Sequence, residues 1–119
     1  SGDALALAVG DRVLMLESGV YAIWSPEGLA SSWGKDAQLS GEAAELMKLT
    51  APDLKALGII DGIIPEPSGG AQADPARMIQ NLDRALTQHL TALSKESGAA
   101  LVRQRYEKFR AMGGGKEAP

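Results

Sequence analysis

The sequence combines three helix starts marked by proline with three short apolar runs, and this combination limits the possible folds more than any other feature. The starts are Ser25-Pro26, Ala51-Pro52 and Asp74-Pro75. Proline suits the first helical turn because the N–H that it lacks would be unpaired there, and a preceding Ser, Thr or Asp can cap the free amides. The apolar runs cover residues 13–16, 20–24 and 59–64. Their lengths and their branched and aromatic residues favour strands, so we predict an α/β chain.

The pairing of these strands stays open at this level. Glu17-Ser18-Gly19 separates the first two runs, which permits a hairpin, but two strands of a layered fold have the same pattern. The strands are too few to close a sheet by themselves. The first residue is Ser1 rather than methionine. We therefore expect the chain to be the back part of a longer protein, with a trimmed tag as the alternative.

An apolar block over residues 4–9 follows Ser1-Gly2-Asp3. It is apolar on every side, so a helix there would be fully buried. At the start of that helix, the amides of Gly2 and Asp3 would point outward with no helical partner. Such amides can hold a developing oxyanion, which makes Gly2 and Asp3 candidate catalytic residues. A plain helix start is the alternative.

Other capping and helix-breaking residues along the chain predict helices. Three short ones cover residues 26–33, 42–48 and 51–58, with Ser40 as the cap of the second. After a loop at 68–73, apolar residues at spacings of one, three and four predict an amphipathic helix of about five turns that Gly98 breaks. A last helix ends near Gly113, and the tail 114–119 is predicted to be disordered.

Composition excludes several kinds of chemistry. The chain has no cysteine, which excludes disulfides, a thiolate nucleophile and cysteine-bound zinc or iron–sulfur clusters. With His89 as the only histidine, a multi-histidine metal site is excluded as well. The net charge of −3 argues against nucleic acid as the main partner. No apolar run reaches the roughly 18 residues that a membrane span needs, and no basic leader opens the chain, so we expect a cytoplasmic setting.

A few side chains outside the opening segment could bind or react. His89 lies beside the apolar stripe of its helix and is predicted to be a surface or boundary residue. Trp24 and Trp33 flank the Ser25-Pro26-Glu27-Gly28 turn, either as a ligand wall or as core and interface anchors. We interpret Glu27 as a partner of the helix dipole before a general base.

The last helix is basic. Its cations could bind phosphate or the acidic face of a partner, and a solvated surface is the alternative. They are Arg103, Arg105, Lys108 and Arg110, against Glu107.

Several segments of the sequence, taken together and in order, have the pattern of one family. They are Ser1-Gly2-Asp3-Ala4-Leu5-Ala6-Leu7, Val9-Gly10-Asp11-Arg12-Val13 with Met15-Leu16-Glu17, Tyr21-Ala22-Ile23-Trp24-Ser25-Pro26-Glu27-Gly28, Thr50-Ala51-Pro52-Asp53-Leu54-Lys55, Leu57-Gly58-Ile59-Ile60-Asp61, Ile63-Ile64-Pro65-Glu66-Pro67-Ser68-Gly69-Gly70-Ala71 and Arg105-Tyr106-Glu107-Lys108. From residue 1 to about 113, this pattern resembles the alpha subunit of the carboxyltransferase of bacterial-type acetyl-CoA carboxylase.

The resemblance implies a crotonase-like (ClpP/crotonase) spiral core followed by C-terminal helices. Residues 1–67 would be the C-terminal part of that core and residues 68–113 a helical segment. The implied reaction moves a carboxyl group from carboxybiotin, held on the biotin carboxyl carrier protein, to acetyl-CoA and forms malonyl-CoA for fatty acid synthesis. Biotin is then a substrate that is not bound covalently here, and this chain holds no metal. The implied assembly is a cytoplasmic alpha2beta2 hetero-oligomer with the carboxyltransferase beta subunit, and no membrane is involved.

The family's pair of backbone amides, which faces the carbonyl of biotin's ureido ring, matches Gly2 and Asp3. Negative charge develops on that oxygen as the carboxyl group leaves, and two helix-start amides stabilise it without a titratable group. The freed biotin nitrogen can take the proton of the acetyl methyl, so no protein base is required. The sequence departs from the family at Asp3, which replaces a second glycine, at Gly34, where tryptophan is usual, and at Gln72, where histidine is common. We expect the chain alone to be inactive.

Two other functions remain open. The amphipathic helices at 75–97 and 99–112 could form a non-catalytic interaction module that binds a partner's groove. Alternatively, the chain could belong to another crotonase-type acyl-CoA enzyme, a hydratase or hydrolase. Such an enzyme needs a placed carboxylate base, for which Glu27 is the only candidate.

Overall fold

A computed structural model of the chain describes residues 2–22, 24–32 and 40–113. Its elements follow one another as short helices and strands and then two longer helices. They are α1 Gly2–Leu7, β1 Leu14–Leu16, α2 Pro26–Ser32, α3 Ser40–Met47, α4 Ala51–Ala56, β2 Gly62–Ile64, a 3-10 turn Ala71–Ala73, α5 Pro75–Ser94 and α6 Gly98–Ala111. The chain is therefore an α/β protein, as predicted.

The two strands pair with each other in parallel. Leu14 lies opposite Gly62, and the register continues to Leu16 opposite Ile64. Parallel strands need a long crossover, and here it contains α2, α3 and α4. The hairpin that the sequence permitted is not formed, because the partner of β1 comes from 48 residues further along the chain.

The predicted strand at 20–24 is wrong within the residues that the structure describes there, which exclude residue 23. Val20 forms one isolated antiparallel bridge with Thr50. The N–H of Tyr21 donates to the carbonyl of Leu49 at 3.1 Å. The segment is therefore held by the residues just before α4, and it does not pair with β1.

The core lies where α4 packs on the sheet. Ala51, Leu54 and Ile60 are buried. The half-buried side chains around them come from both strand regions and from the segment after β1, namely Val13, Met15, Tyr21, Ile59 and Ile63. Gly58 ends α4 with a φ of 74°, a left-handed conformation that glycine adopts without the strain of a Cβ. The predicted end of this helix is confirmed.

The helix pair α2 and α3 forms a second contact. The two helices pack on each other, and Ala30 of α2 and Ala43 of α3 are buried. Ser40, which we predict as the cap of this helix, is its first residue in the structure. Trp33 and Gly34 lie outside the described residues.

Side-chain caps mark where the two longer helices begin. The Asp74 carboxylate accepts from the N–H of Arg77 at 3.1 Å and caps α5, as Asp74-Pro75 predicts. Gly98, which we expected to break the helix, is the first residue of α6, and the Ser97 hydroxyl caps that helix by accepting from Ala100 N at 3.1 Å. The predicted disordered tail lies outside the described residues.

The prediction that the first helix is fully buried is wrong. The helix begins at Gly2 and ends at Leu7, two residues earlier than the apolar block indicated, and it has no buried residue. Leu5 is 68% exposed and Leu7 is 76% exposed. The physical reason is that only one side of this short helix meets the described part of the chain, and no second layer covers the other side.

Candidate functional site

The predicted oxyanion residues lie in the first turn of α1. Gly2 and Asp3 are both exposed, and a Cβ on Gly2 would meet no atom within 4 Å. First-turn N–H groups have no partner within their own helix. Gly2 and Asp3 are therefore accessible, and their amides can donate to an outside acceptor.

An apolar cleft of about 680 Å³ runs along the inner side of α1. Ala4 and Leu5 form one wall, and Trp24 lies on another. None of the lining residues carries a charge; the others are Tyr21, Ala22, Leu29, Met47, Leu54 and Ile59. Such a lining suits the apolar part of a ligand or a covering protein segment and offers no cation for a phosphate.

Trp24 belongs to this cleft rather than to the core. Its side chain is 51% exposed, which agrees with the ligand-wall interpretation and disagrees with a core anchor. A large, half-exposed aromatic side chain at the edge of an apolar cleft can stack on a planar group or anchor a partner.

Tyr21 joins the cleft to α1. Its hydroxyl donates to the carbonyl oxygen of Ala4, and its ring packs against the core cluster of Ala51, Leu54 and Ile60. The contact spans 17 residues of sequence. The sequence does not indicate this contact, because the apolar run around Tyr21 has the pattern of a strand.

Two of the four cations on the basic helix, α6, form ion pairs with carboxylates of this chain. Arg105 Nη1 lies 3.2 Å from Asp11 Oδ1, and Lys108 Nζ lies 3.2 Å from Asp61 Oδ2. Arg110 stacks on the Tyr106 ring, with its guanidinium carbon 5.8 Å from the ring centre. The predicted phosphate or partner surface is thus reduced, since Arg105 and Lys108 hold α6 to the rest of the chain.

Carboxylates extend the two-stranded ladder at both ends. Asp61 Oδ2 accepts from the N–H of Val13 at 2.7 Å, ahead of β1. Beyond the strands, Glu66 accepts from the N–H of Ser18 at 2.7 Å and from the Ser18 hydroxyl, while the N–H of Glu66 donates to Glu17 at 2.9 Å. The bonds from Ser18 hold the pKa of Glu66 below its ordinary value. The bond from the Ser18 hydroxyl has the larger effect, and the bond from the Ser18 N–H comes next.

His89 is a packing residue at the boundary, as predicted. It lies half-buried on α5, and its Nε2 lies 3.2 Å from the position that a Cβ on Gly62 would take. Leu14 and Ile63 line the same small space of about 120 Å³. The neighbouring Asn81 donates to the carbonyl of Pro65 at 2.9 Å.

The remaining candidates in the described part of the chain are not grouped into a catalytic or metal-binding site. Glu27 is exposed in the first turn of α2 and does not line the apolar cleft. Within residues 2–22, 24–32 and 40–113, no three His, Cys, Asp or Glu side chains are grouped so that they could hold a metal ion. Among the helices of that same part of the chain, none has the length and apolar character that crossing a membrane requires.

Fold and site together define an α/β chain in which a short, exposed helix forms one wall of an apolar cleft. A family model described as acetyl co-enzyme A carboxylase carboxyltransferase-like matches residues 1–113, and the chain belongs to that family. The resemblance stated from the sequence segments is confirmed.

Curated relatives narrow the family to one kind of subunit. The chain is 54% identical, over 112 residues, to an acetyl-coenzyme A carboxylase carboxyl transferase subunit alpha of Geobacter metallireducens, which covers 94% of this chain and 35% of the relative. It is 53% identical over 113 residues to the same subunit of Geobacillus kaustophilus, with 95% and 35% covered. For Staphylococcus carnosus the identity is 50% over 117 residues, with 98% and 37% covered. The chain thus spans about 35% of the length of the curated relatives it matches.

Proposed function

We propose that the chain is part of a carboxyltransferase that moves a carboxyl group from carboxybiotin on a carrier protein to acetyl-CoA. The observation that carries the proposal is the family match over residues 1–113, which includes α1 and the cleft beside it. In the reaction, the bond between biotin's nitrogen and the carboxyl carbon breaks. A bond from that carbon to the methyl carbon of acetyl-CoA forms, and the methyl proton passes to the biotin nitrogen. The products are malonyl-CoA and biotin, and biotin is a substrate here rather than a resident cofactor.

In this proposal the N–H groups of Gly2 and Asp3 donate to the ureido oxygen of biotin. Their position in the first turn of an exposed helix and the absence of a side chain at Gly2 support it. Fixed amide dipoles stabilise charge that develops in the transition state without reorganising. The Asp3 carboxylate adds a negative charge near the same place, so we expect Asp3→Gly to raise turnover.

The proposed setting is a cytoplasmic hetero-oligomer with a beta subunit and a biotin carrier protein. The proposed architecture is a crotonase-like core that includes residues 1–67, with residues 68–113 as the helical segment that follows. The exposed Leu5 and Leu7 and the apolar cleft support it, because both need a cover that the described residues do not supply.

The test is malonyl-CoA formation by the full-length alpha subunit purified with its beta subunit and supplied with carboxylated carrier protein. Gly2→Pro removes one amide donor, and proline is tolerated at a first helical position. We expect kcat to fall by about 100-fold. Gly41→Pro is the matched control, because it removes an amide near the start of α3 and should leave turnover unchanged. Unchanged kcat for Gly2→Pro would contradict the amide role, and an inactive wild-type complex would contradict the function.

A second candidate function is a helical interaction module, and the uncovered apolar sides of α5 and α6 favour it. Neither helix has a buried residue. Exposed apolar side chains run along both of them, namely Ile79, Leu82, Leu86, Leu90, Val102, Tyr106 and Phe109. Ending the full-length subunit after Gly98 should abolish its complex with the beta subunit if this surface is an interface.

A further inference from the structure

The placement of α1 depends on polar contacts rather than on side-chain burial. The helix is six residues long and has no buried residue. A helix of this length is not stable by itself in water, and its orientation needs support from the rest of the fold. Two side chains from distant parts of the sequence contact the helix itself and the turn that follows it.

Lys108 holds the turn that joins α1 to β1. Its ammonium donates to the carbonyl oxygens of Gly10 at 3.0 Å and Asp11 at 3.2 Å, and it lies 3.2 Å from the Asp61 carboxylate. These three acceptors match the three donors of an ammonium group. The Lys108 side chain is only 15% exposed. Because Asp61 also accepts from Val13, the lysine ties the turn to the starts of both strands.

Tyr21 holds α1 from the side of the cleft. Its hydroxyl donates to the carbonyl of Ala4 inside the helix, and its ring is fixed against the core cluster. Ala4 and Leu5, next to the proposed amide donors, also form the cleft wall. A change in the tilt of α1 would therefore move the amides of Gly2 and Asp3 and one side of the cleft together.

We propose that Lys108 and Tyr21 are positioning residues that hold α1 in the orientation that carboxyl transfer requires. The inference rests on the proposed function and extends it to two side chains that do not touch the reacting atoms. Misplacing catalytic groups by about 1 Å can lower a rate about 100-fold. Since the amides act on charge that develops in the transition state, the loss should be in kcat rather than in KM.

The experiment uses the full-length alpha subunit in complex with its beta subunit. Lys108→Met keeps the aliphatic stem and removes the three polar contacts, and Tyr21→Phe removes only the hydroxyl. We expect each variant to lower kcat for malonyl-CoA formation by about 10- to 100-fold, with KM for acetyl-CoA within about twofold of wild type. The double variant should lose less than the product of the two factors, because both contacts hold the same helix.

Lys55→Met is the matched control. Lys55 also donates to a main-chain carbonyl, that of Asp61, and this hydrogen bond joins α4 to the residue just before β2 rather than to α1 or the turn after it. Its kcat should remain near the wild-type value. If the Lys108→Met and Tyr21→Phe complexes fold and keep the wild-type kcat, the inference is overturned but the proposed function is not. An equal loss of kcat in Lys55→Met has the same consequence. An inactive wild-type complex would overturn the proposed function and this inference with it.

Discussion

Replacing Leu54 by alanine tests whether this side chain belongs to the core, although it also lines the cleft. Leu54 is 4% exposed and belongs to the core cluster, although one side of it also lines the apolar cleft. The substitution removes three carbon atoms, each worth about 0.8 kcal/mol when buried, which gives about 2.4 kcal/mol. Because the cleft lets neighbouring groups or water reach the space, we expect little additional cavity cost and a total near the lower end of the 2–5 kcal/mol range.

The assay is urea unfolding followed by circular dichroism, with Leu57→Ala as the control. Leu57 lies three residues further along and is 57% exposed. Since less than half of its surface is buried, the same substitution should cost about 1 kcal/mol. We therefore predict that Leu54→Ala costs about 1.4 kcal/mol more than Leu57→Ala. A cost for Leu54→Ala that is no larger than that for Leu57→Ala would refute the assignment of the core.

Three further substitutions test contacts that position the strands and α5. Ser18→Ala should raise the pKa of Glu66 toward 4.5, because it removes the hydroxyl bond that lowers the pKa most; a carbon NMR titration measures this. A lowered folded pKa also means that the Glu66 contribution to stability is present above pH 4.5 and is lost as the pH falls through the folded pKa. Gly62→Ala should cost about 1–3 kcal/mol in urea unfolding, because its Cβ would lie 3.0 Å from Leu14 and 3.2 Å from His89. Asp74→Ala should cost about 1 kcal/mol, because it removes the cap of α5.

Each of these has a result that contradicts it. An unchanged Glu66 titration in Ser18→Ala would show that the hydroxyl does not bond the carboxylate. Gly41→Ala serves as the control for Gly62→Ala, because a Cβ at Gly41 meets nothing within 4 Å in α3, and it should be neutral or stabilising. Equal effects of the two alanines would contradict the tight packing of α5 on β2. A full-strength helical signal and unchanged unfolding in Asp74→Ala would contradict the cap.

The candidate site was only partly visible in the sequence. The position of Gly2 and Asp3 before an apolar block indicated a helix start, and the structure has both residues in a first turn. The two side chains proposed to position that helix gave no signal. Tyr21 lies in a run with a strand pattern, and Lys108 belongs to a group of cations that has the composition of a solvated surface.

The sequence by itself determined the features that depend on neighbouring residues. Capping and proline act within one helical turn, so Asp74-Pro75 predicts the start of α5 and Gly58 the end of α4. The family is also determined at this level, since its motifs are runs of adjacent residues.

Only the tertiary structure decided which strand pairs with β1, how far α1 is exposed and where the cation of Lys108 goes. The bonds of Lys108 join residues 47 to 98 positions apart. A contact at that separation depends on how the whole chain folds, because the same local pattern is compatible with a solvated lysine and with a half-buried lysine that binds three acceptors.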